Sequence, residues 1–363
     1  MKYLLILAVA VLLFNTNTNA QGCVAIRSTG AVCTKQEPGK VAKGWQLNTS
    51  YRYFKSFRHF VGKEEQKERL ENNTEVINWQ HTLNLTLLRQ FNIRWSVGID
   101  VPLVFNTRSS LYEHGGNNAG PSARHSTKAS GLSDIRVTAY RWLLDPKKSM
   151  KGNIQAGLGV KFPTGKYNVE DVFHKGGEVG DVTGPVDQSI QPGDGGLGVT
   201  AEINAFYGIT HHIGLYGNFY YLVNPRVENG VSTARGGTPS QAAIDYKSAT
   251  MSVPDQYMAR AGGNFTFGDF LASAGMRFEC IPSSDLIGGD EGFRRPGYVL
   301  SVEPGVSYKF KKFVAFATVP VAVQRNRTQS NSDKLRTAAT GVYAHGDAAF
   351  ADYSLNIGAS FKL

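Results

Sequence analysis

Through most of this chain, side chains alternate between an apolar and a polar face with a period of two. That pattern admits extended strands and little else. In Gly44–Phe54, Trp45, Leu47, Thr49, Tyr51 and Tyr53 share one face, and Gln46, Asn48, Ser50 and Arg52 share the other. Val76–Leu88 repeats the scheme: Ile77, Trp79, His81, Leu83, Leu85 and Leu87 oppose Asn78, Gln80, Thr82, Asn84 and Thr86. In Arg94–Val104, Trp95, Val97, Ile99, Val101 and Leu103 oppose Ser96, Gly98, Asp100 and Pro102. Further runs are Leu132–Leu144, Asn153–Pro163, Leu197–Tyr207, Gly214–Asn224, Gln256–Phe265, Leu271–Ile281, Tyr298–Lys309, Phe313–Val323 and Ala351–Leu363. Each is close to the ~9–11 residues that a tilted strand needs to cross a bilayer.

The connections alternate in length. Long links fall at 56–74, 106–130, 165–194, 225–255, 282–297 and 324–349, and short ones at 89–93, 145–152, 208–213, 266–270 and 310–312. Transmembrane barrels pair short periplasmic turns with long extracellular loops, and a soluble sandwich has no reason to do so. The expected fold is therefore all-β: a closed antiparallel transmembrane barrel of about twelve strands over residues 44–363, both ends periplasmic. Trp45, Trp95 and Trp142 are expected at the turn-end interface, and Trp79, Tyr51 and Tyr53 at the loop end. The last strand presents Tyr353, Leu355, Ile357, Ala359, Phe361 and Leu363 on one face.

Composition agrees. A mean hydropathy of −0.25 argues against a bundle of membrane helices but not against a barrel, whose two faces average out. The net charge of +10 invites a nucleic-acid reading. No zinc-finger spacing, basic helix or RNP-like strand supports one, so no nucleic-acid partner is expected. Residues 1–20 read as a signal peptide, with Lys2, an apolar run over 4–14 and a small-residue site at Thr18-Asn19-Ala20. Residues 21–43 then form a short periplasmic segment. Its Cys23 and Cys33 are expected to form a disulfide in an oxidising compartment. Lipid attachment at Cys23 is the rival reading, but Ala20-Gln21-Gly22 fits a lipidation site poorly. Cys280 stands alone in a strand, as a buried or lipid-facing thiol.

Catalytic and cofactor signals are weak. Gly159–Lys166 ends like a phosphate-binding loop, but its glycine spacing is wrong and no Ser or Thr follows Lys166. The adjacent His211 and His212 point apart on extended backbone. His81 is the one candidate base for an outer-membrane lipid hydrolase, yet no serine with an orienting partner stands beside it in the pattern. No cofactor and no metal are expected.

The polar faces carry more information. The inward set includes Arg52, Arg136, Lys161, Arg260 and Arg277, against Asp100, Asp134, Glu202, Glu279, Glu303 and Asp352. Five basic and six acidic groups nearly balance. They either pair and fill the lumen or line a path that selects by charge and size. Phe293, Arg294 and Arg295 lie in a glycine-rich loop. That loop either folds inward on Arg–carboxylate pairs or meets an anionic or aromatic solute.

Four stretches are less generic: GLSDIRVTAYRWLL at 131–144, GLGVKFPTGKY at 157–167, DQSIQPGDGG at 187–196 and FRRPGYVLSVEPGVSY at 293–308. Together they resemble a family of bacterial outer-membrane proteins named for the meta-cleavage pathway of phenol degradation, whose members are labelled transporters. The resemblance covers about half of the chain. It implies an outer-membrane barrel with a transport role and a leaning towards aromatic or hydrophobic solutes, and it offers no catalytic residues. The expected function is passive passage of a small solute. A structural or adhesive barrel is the main alternative and a lipid hydrolase the lesser one. Outer-membrane lipid, and the barrel-insertion machinery during assembly, are the expected partners.

Overall fold

A computed structural model describes residues 43–363. The signal peptide and the Cys23–Cys33 pair lie outside the described residues. Twelve strands form the wall: β1 (Gly44–Val61), β2 (Ile77–Gln90), β3 (Trp95–Ser110), β4 in two pieces (His125–Leu132 and Arg136–Trp142), β5 (Gly152–Lys161) and β6 (Gly198–Gly208). They continue with β7 (Ile213–Val223), β8 (Gln256–Phe267), β9 (Phe270–Ile281), β10 (Gly297–Lys309), β11 in two pieces (Phe313–Thr318 and Val321–Arg327) and β12 (Ala348–Lys362). Sequence neighbours pair antiparallel, and β12 returns onto β1 from Gln46↔Lys362 to Phe60↔Ala348, closing the barrel.

The alternation predicts these strands well except at the loop end. There β1 and β3 run on past Phe54 and Val104, and β4 begins at His125. The extensions hold polar residues on consecutive positions, such as Arg108, Ser109 and Ser110. Beyond the bilayer neither face must be apolar, so the period-two signal stops while the hydrogen-bond ladder continues.

The barrel is polar inside and apolar outside. Thr138, Thr200, Asn218 and Arg277 are buried inward, whereas Ile154, Leu158, Ile203, Leu215 and Val323 are exposed outward. An apolar surface this continuous needs lipid around it, and closure pairs the ladder groups of the wall with one another except along one stretch between β11 and β12.

At the turn end, Trp45 and Trp95 are exposed, with the guanidinium groups of Arg89 and Arg141 at 5.0 and 5.2 Å from their rings. Trp142 also stands at the turn end, as expected, but on the other face. The pairing Trp142↔Gln155 puts it on the inner face, where it is buried edge-on against Phe206 at 5.9 Å.

One stretch of wall lacks a ladder. Below it, β11 pairs β12 from Phe313↔Phe361 to Thr318↔Asn356, but its upper piece pairs β12 only at Val321↔Tyr353. Pro320, which has no N–H to give, marks the break. Side chains bridge the gap instead. Arg325 donates to the Ala351 carbonyl at 3.0 Å and to Asp352 at 2.7 Å, and Arg58 donates to Asp352 at 2.9 Å. Asp352 therefore ties β1, β11 and β12 together at this seam. The register of β1 against β12 shifts twice nearby, between Phe54 and Ser56 and again between Ser56 and Arg58, which defeats simple alternation.

The long loops fold over one mouth. The third, 162–197, rises as a hairpin (Glu170–His174 with Asp181–Pro185). The stretch that follows, 187–194, then packs against the inner wall. The sixth holds a helix, Asn331–Thr340, with a Ser330–Asp333 capping box at its start and Gly341 at φ 69° at its end.

Candidate functional site: the lumen and its inserted loop

The inserted stretch begins with a tight turn over Gln188–Ile190, in which Asp187 Oδ1 accepts the Ser189 N–H at 3.0 Å. The wall then holds it carbonyl by carbonyl. Gln80 Nε2 donates to the Ser189 carbonyl and Asn106 Nδ2 to that of Ile190, each at 3.0 Å. Ser133 Oγ donates to the Pro192 carbonyl at 2.5 Å. Asp134 accepts the N–H groups of Gly165 at 3.0 Å and Asp194 at 3.2 Å, and Lys161 pairs with Asp194. A Cβ placed on Gly193 would lie 2.3 Å from the Gly165 carbonyl oxygen, so two backbones cross here in contact. The motif stretches at 131–144, 157–167 and 187–196 thus meet at one place. The fourth contributes Arg295, whose two terminal nitrogens grip Asp187 at 2.8 and 2.5 Å.

Above the turn sits a buried ion network. Glu113 lies 3.0 Å from Arg108 and 2.8 Å from Arg235, and Asp187 lies within 3.6 Å of Arg108, Arg235 and Arg295. Burial by itself raises both carboxyls, but the arginines overcome it. Arg108 and Arg235 hold Glu113 down at about 2, and the arginines around Asp187 hold it well below the usual carboxylate range. One network therefore ties β3 to the second, third, fourth and fifth long loops.

Deeper inside, the sequence-selected charges form pairs. Arg52 meets Glu279 at 3.0 Å, which also meets Arg277 at 3.0 Å, and Glu303 lies 2.9 Å from Arg260. Arg136 bridges Asp100 at 2.9 Å and Glu202 at 3.5 Å. Lys161 stands 3.7 Å from Asp134. Removing one member of a buried pair leaves the other unpaired, at a cost of about 3–5 kcal/mol. Arg294 grips Asp285 with two bonds of 2.8 Å, and Phe293 lies beneath the Arg295 guanidinium at 4.7 Å.

Between the inserted loop and the inner wall lies a cavity of about 110 Å³, which residues of the fourth and fifth long loops also line. Its lining mixes apolar groups such as Phe54, Val104 and Leu222 with carboxamides such as Gln80, Asn84 and Asn106. Strand pattern does not single out these amides, nor Glu113 and Asp187. The only signal pointing to the inserted loop was the 187–196 stretch itself.

His81 faces outward, with its Nδ1 2.6 Å from Tyr51 Oη and its ring 4.9 Å from that of Tyr53. Among the described residues no three His, Cys, Asp or Glu side chains are placed to hold a metal ion. Cys280 is buried and free.

Neither a family model nor a curated protein matches the chain. Among solved structures, an outer membrane channel from Pseudomonas putida F1 superposes with a TM-score of 0.56 at 13% identity, covering 90% of this chain and 100% of that one. The fold is that of an outer-membrane β-barrel. Two looser matches add nothing to this. One is the β domain of the Bordetella autotransporter BrkA (TM-score 0.44, 11% identity, 89% of this chain and 100% of that one). The other is the CymD monoaromatic hydrocarbon channel (0.43, 9%, 89% and 90%).

Proposed function

We propose that this protein is a passive outer-membrane channel for a small solute. The carrying observation is the lumen: a polar, ion-paired interior that encloses a cavity of about 110 Å³ beneath a single inserted loop. A barrel serving only as an anchor has no need of a cavity lined by both amide and apolar side chains. The apolar outer wall supports an outer-membrane location, with outer-membrane lipid as the surroundings and the barrel-insertion machinery as the route of assembly. The neighbour from Pseudomonas putida F1 is itself described as a channel. The motif resemblance leans towards aromatic or hydrophobic solutes and towards the phenol-pathway family.

An enzyme is disfavoured. His81 is engaged by Tyr51, and no nucleophile is hydrogen-bonded to it. Planar-bilayer recording of the purified protein is the test. Discrete openings are expected. A barrel that stays silent, and passes no solute into liposomes, would favour the structural or adhesive reading.

A further inference from the structure

We infer that the cavity beneath the inserted loop takes an uncharged polyol; this deepens the channel reading and rests on it. Charge is the first ground. The basic groups that line the cavity are Arg52, Arg136, Lys161 and Arg294. Each already has a carboxylate: Glu279 at 3.0 Å, Asp100 at 2.9 Å, Asp194 in direct contact and Asp285 at 2.8 Å, respectively. An anionic solute entering here sheds its water and finds no unpaired cation. An uncharged one escapes that penalty.

The second ground is a buried acceptor. Asn106 gives its N–H to the inserted loop, and the residue is only 5% exposed. Its Oδ1 has no hydrogen-bond partner among the described residues. A buried acceptor without a donor is costly; the residue lines the cavity, and a small turn of the amide that brings Oδ1 to a solute hydroxyl removes that cost. Thr82, Asn84 and Gln256 also line the cavity, and amides and hydroxyls both donate and accept, as polyol hydroxyls do. A solute with a single hydroxyl would serve Asn106 and set an apolar edge against the others. This class therefore differs from the hydrophobic solutes implied by the motif resemblance.

Shape is the third ground. Val104, Leu222 and Ile281 offer apolar surface to the C–H side of a carbon chain. A volume of about 110 Å³ is several times the ~10–15 Å³ that one water needs on the same measure, so the cavity has room for a small solute such as erythritol.

The test compares erythritol with erythronate, which keeps the skeleton and adds a carboxylate. Binding to the purified full-length protein is measured by equilibrium dialysis, and passage by swelling of liposomes that contain it. We expect erythritol to bind and to enter about tenfold better than erythronate. Asn106→Leu should weaken erythritol binding about tenfold and leave erythronate unchanged. Thr82→Val, whose side chain does not hold the inserted loop, should weaken it in the same direction. If Asn106→Leu raises the entry of both solutes together, it has loosened the loop, and the role given to Oδ1 is overturned. Equal binding and entry of the two solutes by the native protein overturns the polyol assignment and leaves the channel standing. Erythritol binding with no swelling overturns the channel and leaves the assignment standing. Absence of erythritol binding overturns the assignment outright.

Discussion

His114 shows how a single side chain joins two loops. Its Nδ1 accepts the backbone N–H of His174 at 3.0 Å, and the rings of His125 and His174 lie 5.4 and 5.8 Å away. Burial lowers its pKa most, Glu113 opposes, and His125, His174 and Lys175 lower it further, to about 4 from 6.5. A base depressed in the folded state binds fewer protons than in the unfolded state. Its contribution is therefore intact above about 6.5 and is lost as pH falls towards 4. Glu113, held at about 2 against 4.5, loses its contribution in a lower window. Amide exchange at His174, corrected for its intrinsic rate, should accelerate across the upper window, and His114→Gln should flatten that step. Gly193 offers a second check. An added Cβ would meet the Gly165 carbonyl oxygen at 2.3 Å, so Gly193→Ala should cost about 1–3 kcal/mol and expose the third loop to protease. At this scale the lumen charges were legible because face follows position parity. The bridging of Asp352 to two arginines at the seam was not, because nearby register shifts break the parity.

At the level of elements, the strands carry the clearest signal, and the same parity predicts what each position tolerates. Ile99 is exposed on the outer face, so Ile99→Arg should cost about 2–4 kcal/mol when the barrel folds into liposomes. Gly98 faces inward, and a Cβ there would meet Tyr140 at 3.4 Å and Leu88 at 3.5 Å, so Gly98→Ala should cost much less. Equal losses for the two variants would contradict the faces assigned here. The broken strands β4 and β11 were legible only in part. Their second pieces follow the period, but the gap in the ladder beside β12 depends on contacts between segments far apart in sequence. The inserted stretch 187–194 was illegible as structure for a related reason. It has no periodicity, and its place is set by hydrogen bonds from Gln80, Asn106, Ser133 and Asp134 on distant strands.

Over the whole molecule, long and short connections separate to opposite ends of a closed barrel, as their alternation in the chain requires. Single cysteines at Asn118, in a long loop, and at Lys148, in a short turn, should therefore differ in labelling from outside intact cells, with Asn118 reactive and Lys148 protected. Equal labelling would contradict the topology. The barrel, its strand number and its polarity were all legible, since each follows from local alternation and link length. The closed mouth was not, because it is a property of loops packed on one another. The position of the inserted stretch also bears on the order in which the molecule is built. The groups that seat residues 187–194 directly on the wall come from β2, β3, the stretch around Ser133–Asp134 and β5, all earlier in the chain. Later residues add to them: Gln188 donates to the Ser252 carbonyl at 2.7 Å, and Asn229 donates to that of Asp194 at 3.1 Å. Seating the stretch on those wall groups therefore does not require the closing pair β1–β12, and Arg295, the latest of its partners in the chain, adds the final grip on Asp187.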